Sequence, residues 1–76
     1  MEGEAVAEQV RAEMVANVFE IAVQSGDTVQ AGQMLLVLES MKMEIPVLAE
    51  NAGRVREVTV KPGEVVQEGD LLVVLD

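Results

Sequence analysis

Lys42 stands between two thioethers in Glu39-Ser40-Met41-Lys42-Met43-Glu44, in a 76-residue chain with two lysines and no His, Cys, Tyr or Trp. A primary amine is a nucleophile once deprotonated, and acylation converts it to a stable amide. A single displayed lysine therefore suits covalent attachment of a prosthetic group. Met41 and Met43 add to that reading, because soft, adaptable thioethers suit a surface that several partners must grip. An ordinary surface lysine beside Glu39 and Glu44 would make only a weak, solvent-screened pair. The rarity of lysine and the flanking methionines set Lys42 apart. Lys61, before Pro62-Gly63, reads as a plain surface residue.

Other chemistry is poorly provided for. Without His or Cys, no nucleophile–base pair can be assembled, and no glycine-rich phosphate loop is present. Asp27, Glu64, Glu68 and Asp70 fall at turn signals and lack the spacing of a calcium loop, so they read as solvated turn acids. The chain is not expected to be an enzyme by itself. A net charge of −9, with five cations and the single aromatic Phe19, argues against nucleic acid. The acidity serves solubility first, and could also steer the domain toward basic partner proteins.

The elements that hold Lys42 must come from one small domain, near the lower size at which apolar packing alone sustains a fold. Half of the residues are apolar, which is ample. No basic segment leads into an apolar stretch and no run of apolar residues is long enough to span a bilayer, so neither a secretory signal nor membrane insertion is expected. The absence of cysteine fits a reducing, cytoplasmic location.

Architecture is written in an internal repeat. Residues 10–39 lie over residues 47–76 at a constant offset of 37, with thirteen identities in thirty positions. They run from Val10/Val47 and Ala12/Ala49 through Gly26/Gly63 and Gly32/Gly69 to Val37/Val74 and Leu38/Leu75. Two copies are too few for a solenoid. They predict a duplicated half-domain closing on itself with pseudo-twofold symmetry.

Each half reads as strands. Phe19, Ile21 and Val23 alternate with Val18, Glu20 and Ala22, as Val58 and Val60 do with Glu57 and Thr59, the period of a half-buried strand. Residues 34–38 and 71–75 are unbroken apolar runs, as in strands buried on both faces. Ser25-Gly26-Asp27, Ala31-Gly32-Gln33 and their repeat mates signal turns. Four short strands per half result, eight in all. Val6, Val10 and Met14 recur at helical spacing, but a loose acidic leader is the expected form of residues 1–9, with the domain proper at 10–76. The halves join at Ser40–Pro46, which puts Lys42 on a hairpin tip.

Met41-Lys42-Met43 resembles the attachment motif of the biotinyl (biotin carboxyl carrier) domain family. The similarity extends, in order and spacing, through Val23, Gly26-Asp27, Val29, Gly32-Gln33, Leu35, Glu39, Ala49, Gly53 and Val55, and covers residues 10–76. The resemblance implies an all-β, flattened eight-stranded barrel, a barrel-sandwich hybrid of two pseudo-twofold-related four-stranded halves with the attachment lysine on a β-hairpin turn. It implies biotin bound covalently to Lys42, with Met41 and Met43 flanking it for recognition. It further implies a non-catalytic carrier that moves an activated carboxyl group between biotin carboxylase and carboxyltransferase, after loading by a biotin protein ligase.

The chain departs from the family pattern in places. Ser40 stands where Ala is frequent, and Glu13-Met14-Val15-Ala16 replaces a Pro-Met-Pro-Gly turn, leaving Asn17 as the candidate for a left-handed residue. Val23 to Val29 is too short for the protruding loop of some acetyl-CoA carboxylase carriers, and an Ala/Pro-rich linker is missing. The resemblance is thus to the small free-standing type or to an excised domain. A lipoyl carrier shares the barrel, but usually flanks its lysine with Asp and Ala. An unmodified barrel acting as an interaction module is the alternative from another class.

Overall fold

The computed structural model describes residues 8–76, and these form eight strands: β1 (Glu8–Arg11), β2 (Ala16–Ile21), β3 (Thr28–Val29), β4 (Met34–Ser40), β5 (Met43–Leu48), β6 (Gly53–Val58), β7 (Val65–Val66) and β8 (Leu71–Leu75). Adding 37 to β2 and β3 gives β6 and β7, so the repeat predicts their boundaries residue for residue. The strands make two antiparallel sheets in the orders β1-β8-β6-β3 and β5-β4-β2-β7. The offset exchanges one sheet for the other. The protein has the pseudo-twofold halves that the repeat predicts and the flattened barrel-sandwich that the family resemblance implies.

Neither half keeps its hydrogen bonds to itself. β1 pairs with β8, β2 with β7 and β3 with β6, each joining the first copy to the second. The turn bonds repeat with the same symmetry. The Gly26 N–H donates to the Val55 carbonyl at 2.8 Å, and the Gly63 N–H donates to the Val18 carbonyl at 2.8 Å. Gly26 and Gly63 have φ of 98° and 93°, a region that side chains strongly disfavour. Both turns thus need glycine for backbone reasons, since nothing crowds a Cβ there.

The core lies between the sheets and is wholly apolar. Val29, Leu35, Leu36, Leu72 and Val73 are completely buried, and no buried polar residue interrupts them among the described residues. Leu35, Leu36, Val37 and Leu38 are buried in succession, as the unbroken apolar run predicts for a strand covered on both faces.

Three expectations need correction. The alternation that set Phe19 in register with Ile21 and Val23 is broken by a β-bulge between Val18 and Glu20. Ala16 and Val18 face inward before it, Ile21 and Val23 after it, and Phe19 is left 48% exposed. An extra residue in one strand reverses the inward set beyond it. Asn17 is not left-handed: it sits in β2 opposite Glu39 and Val65. Glu8 and Gln9, assigned to the loose leader over 1–9, instead pair with Leu75 and Val74 in β1, which overrides the helical spacing there as well. Residues 1–7 of the expected leader lie outside the described residues.

Because four of the inter-strand ladders, β4 with β5 included, join one copy to the other, a chain cut between Met41 and Lys42 should yield two fragments that stay unfolded alone and regain sheet structure only on mixing. Circular dichroism of each fragment and of the mixture checks this; a native-like β spectrum from either fragment alone would contradict the exchanged pairing.

Candidate functional site

The hairpin of β4 and β5 turns in two residues. Ser40 lies opposite Met43, with Glu39 opposite Glu44 and Leu38 opposite Ile45 behind them. Met41 and Lys42 fill the turn, with φ of 54° and 66°. Two consecutive left-handed residues mark the primed turn whose twist matches that of flanking strands. Such turns normally carry Asn-Gly or Asp-Gly. Met-Lys there holds two ordinary side chains in a disfavoured region, at about 1–3 kcal/mol each. The observed turn is tighter than the Ser40–Pro46 junction expected from the repeat, because Met43–Leu48 already belongs to β5.

Lys42 is exposed at this apex, Met41 is 88% exposed and Met43 60%. Among the described residues the amine forms no ion pair with Glu39 or Glu44. What holds the apex in place is β4, a strand flanked on both sides by β5 and β2 and carrying the fully buried Leu35 and Leu36. Pro46 is tolerated next door because β5 is an edge strand, where a missing N–H costs no ladder bond. The arrangement is a stem paired on both sides with an exposed amine at its end.

In the other half the equivalent place is occupied differently. The symmetry mate of the Leu38–Ile45 pair is Leu75 opposite Glu8, where the two described ends of the chain run side by side. One copy of the repeat thus ends in a closed hairpin, while in the other the described strands β1 and β8 run side by side. Lys61 takes no comparable position. Its backbone N–H donates to the Glu64 carboxylate at 2.8 Å, closing the Pro62-Gly63 turn, just as the Gln24 N–H donates to Asp27 at 2.9 Å.

The turn acids thereby gain a role that reading them as solvated groups missed. Asp27, Glu64 and Asp70 each accept a backbone N–H three residues upstream, and Gln33 does the same through its amide oxygen. A signal was present: an acceptor recurs at the same place in both copies, as Asp27/Glu64 and as Gln33/Asp70. No cluster of three or more acidic, His or Cys side chains suited to a metal occurs among the described residues. No helix among them is long and apolar enough to cross a membrane.

Comparison with known proteins places this geometry among relatives. The sequence pattern of a biotin/lipoyl family described as "Biotin-requiring enzyme" matches residues 3–75. A protein of Mycobacterium leprae named "Biotinylated protein TB7.3 homolog" is 61% identical over 44 residues, 58% of this chain and 62% of the relative. The "Biotin/lipoyl attachment protein" of Bacillus subtilis is 46% identical over 40 residues, 53% of this chain and 55% of the relative. The matched segment is therefore less than two thirds of these relatives' length. The urea carboxylase of Kluyveromyces lactis contains a region that superposes on all of this chain with a TM-score of 0.88 at 32% identity, 7% of that much longer protein. A single-chain, multi-domain long-chain acyl-CoA carboxylase does so over 97% of this chain, with a TM-score of 0.84 at 39% identity and 8% of its own length.

If the apex is strained as its φ angles indicate, the double substitution Met41→Asn with Lys42→Gly should raise the unfolding free energy by about 1–2 kcal/mol. Urea denaturation measures it, and a loss of stability would show that the two side chains support the turn instead. Met41→Leu with Met43→Leu should shift stability by less than about 0.5 kcal/mol, because neither side chain belongs to the core. A marked fall in melting temperature would put them there.

Proposed function

The chain belongs to the biotin/lipoyl attachment family, and from that premise we propose that it is a biotin carboxyl carrier with Lys42 as the attachment residue. The observation that carries the proposal is the Lys42 amine at the apex of a two-residue turn whose stem is the doubly flanked, buried strand β4. The fit is chemical as well as geometric: the amine is exposed and has no ion-pair partner among the described residues, so an acylating enzyme can reach it. The domain resembles parts of two carboxylases, and it is similar to proteins named as biotinylated.

Only the free base of an amine attacks an activated acyl group. In this reading a biotin protein ligase supplies the deprotonation. Once bound, biotin supplies a ureido nitrogen able to accept and release a carboxyl group. Lys42 then holds the group on a flexible four-carbon arm, and the left-handed turn projects that arm from the end of the barrel. Met41 and Met43 present apolar, adaptable surface on either side for the partner active sites.

The partners in this reading are a biotin carboxylase and a carboxyltransferase. Tethering makes the second encounter effectively intramolecular and raises the local concentration of the carried group. The domain contributes reach and recognition and no catalysis of its own, in keeping with the absence of His and Cys from its sequence. The cysteine-free composition is compatible with a cytoplasmic carrier.

Coexpression with a biotin protein ligase should add one biotinyl group, seen by intact mass. Lys42→Ala should abolish it and Lys61→Ala should leave it unchanged. Labelling that survives Lys42→Ala would overturn the site assignment. A lipoyl group on native protein would instead favour the lipoyl reading that the Bacillus subtilis relative's name leaves open.

A further inference from the structure

The exposed thioethers at the apex have a second chemistry. With no Cys, Trp, Tyr or His in the sequence, methionine is the side chain that a mild peroxide attacks in this chain. The described methionines are not equally open. Met41 is 88% exposed and Met43 60%, whereas Met14 and Met34 are 39% and 37% exposed. The left-handed turn sustains that difference, because it sets Met41 beyond the last strand pair, Ser40 opposite Met43.

We propose that Met41 and Met43 form a reversible two-electron oxidation site that controls access to Lys42. A hydroperoxide delivers one oxygen atom to a lone pair on Sδ; the S–O bond forms as the O–O bond breaks, and the remaining oxygen leaves as water or an alcohol. Sulfur is oxidised by two electrons and the peroxide is reduced by two. Reduction by a thiol-dependent methionine sulfoxide reductase returns the thioether, with the oxygen leaving as water and two thiols joining as a disulfide. The sulfoxide is polar and chiral where the thioether was soft and apolar. It changes the surface on both sides of the amine while leaving the buried strand β4 untouched.

The control of Lys42 rests on the attachment reading above; the oxidation site does not. Brief treatment of the unmodified protein with hydrogen peroxide, followed by peptide mass mapping, should find Met41 oxidised about fivefold faster than Met14 or Met34, with Met43 between. Equal rates at all four would overturn the site. Biotin incorporation by a biotin protein ligase should then fall about tenfold in the oxidised protein and recover after treatment with methionine sulfoxide reductases. The Met41→Leu, Met43→Leu variant, compared with its own untreated rate, should not respond to peroxide. An unchanged rate in the oxidised wild type would overturn the control of Lys42. So would an equal loss in the variant, since the damage would then lie elsewhere. If the untreated wild type accepts no biotin at all, the attachment reading falls, and the order of oxidation alone decides the inference.

Discussion

Exchange of strands between two copies of one sequence is the constraint on which the molecule rests. Within a copy, one ladder is internal, β2 with β4 in the first and β6 with β8 in the second. A lone two-stranded hairpin is marginal in water. Every other described ladder crosses between the copies, including the one closed by the Met41-Lys42 turn. The loop-closure entropy of these long-range pairings must be met together, so the shell forms or fails as a unit. In a chain this small, that cooperativity takes the place of disulfides or metal. It also makes the apex rigid, because its stem cannot loosen without parting β4 from β2.

Local costs gather at that apex. Met41 and Lys42 occupy left-handed backbone, and Glu39 faces Glu44 directly across the hairpin. Like charges in register cost some tenths of a kcal/mol to about 1, and each left-handed side chain about 1–3. Against these stand Leu35, Leu36 and Leu38 on β4, of which the first two are fully buried and the third nearly so. Each contributes about 1.5–3 kcal/mol by burial. The stem can therefore tolerate an apex that would not form on its own. Strain concentrated at one exposed turn is the pattern of a site kept for use rather than for stability.

How much of this was legible depends on which physics wrote the signal. Duplication preserved the boundaries of β2/β6 and β3/β7 and the turn glycines, so the offset of 37 recovered the architecture and set Lys42 at the join of the halves. The unbroken run Leu35–Leu38 gave the buried stem. The bulge after Val18 was not legible, because an inserted residue leaves composition unchanged while reversing which side chains face inward; Phe19 was misread for that reason. The place of the turn at Met41-Lys42 was legible, but its left-handed type was not. Positive φ is announced by Gly or Asn, and neither stands there, so the turn type is imposed by the register of β4 on β5. Asn17 shows the converse. It is among the residues that tolerate left-handed backbone, yet pairing on both sides holds it extended.

Charge and apolar surface divide the work of recognition by range. A body of net charge −9 acts over roughly a Debye length, about 8–10 Å at physiological salt, and biases diffusional encounter toward basic surfaces. Within contact distance that field discriminates poorly, and there Met41 and Met43 are the exposed apolar side chains of the apex. In the carrier reading, acylation of Lys42 removes the one cation of the apex, leaving thioethers and carboxylates around a neutral amide. Loading thus makes the apex less polar and the body more acidic at the same time. In that reading, loading changes recognition at both ranges through charge and surface alone, with nothing moving in the shell.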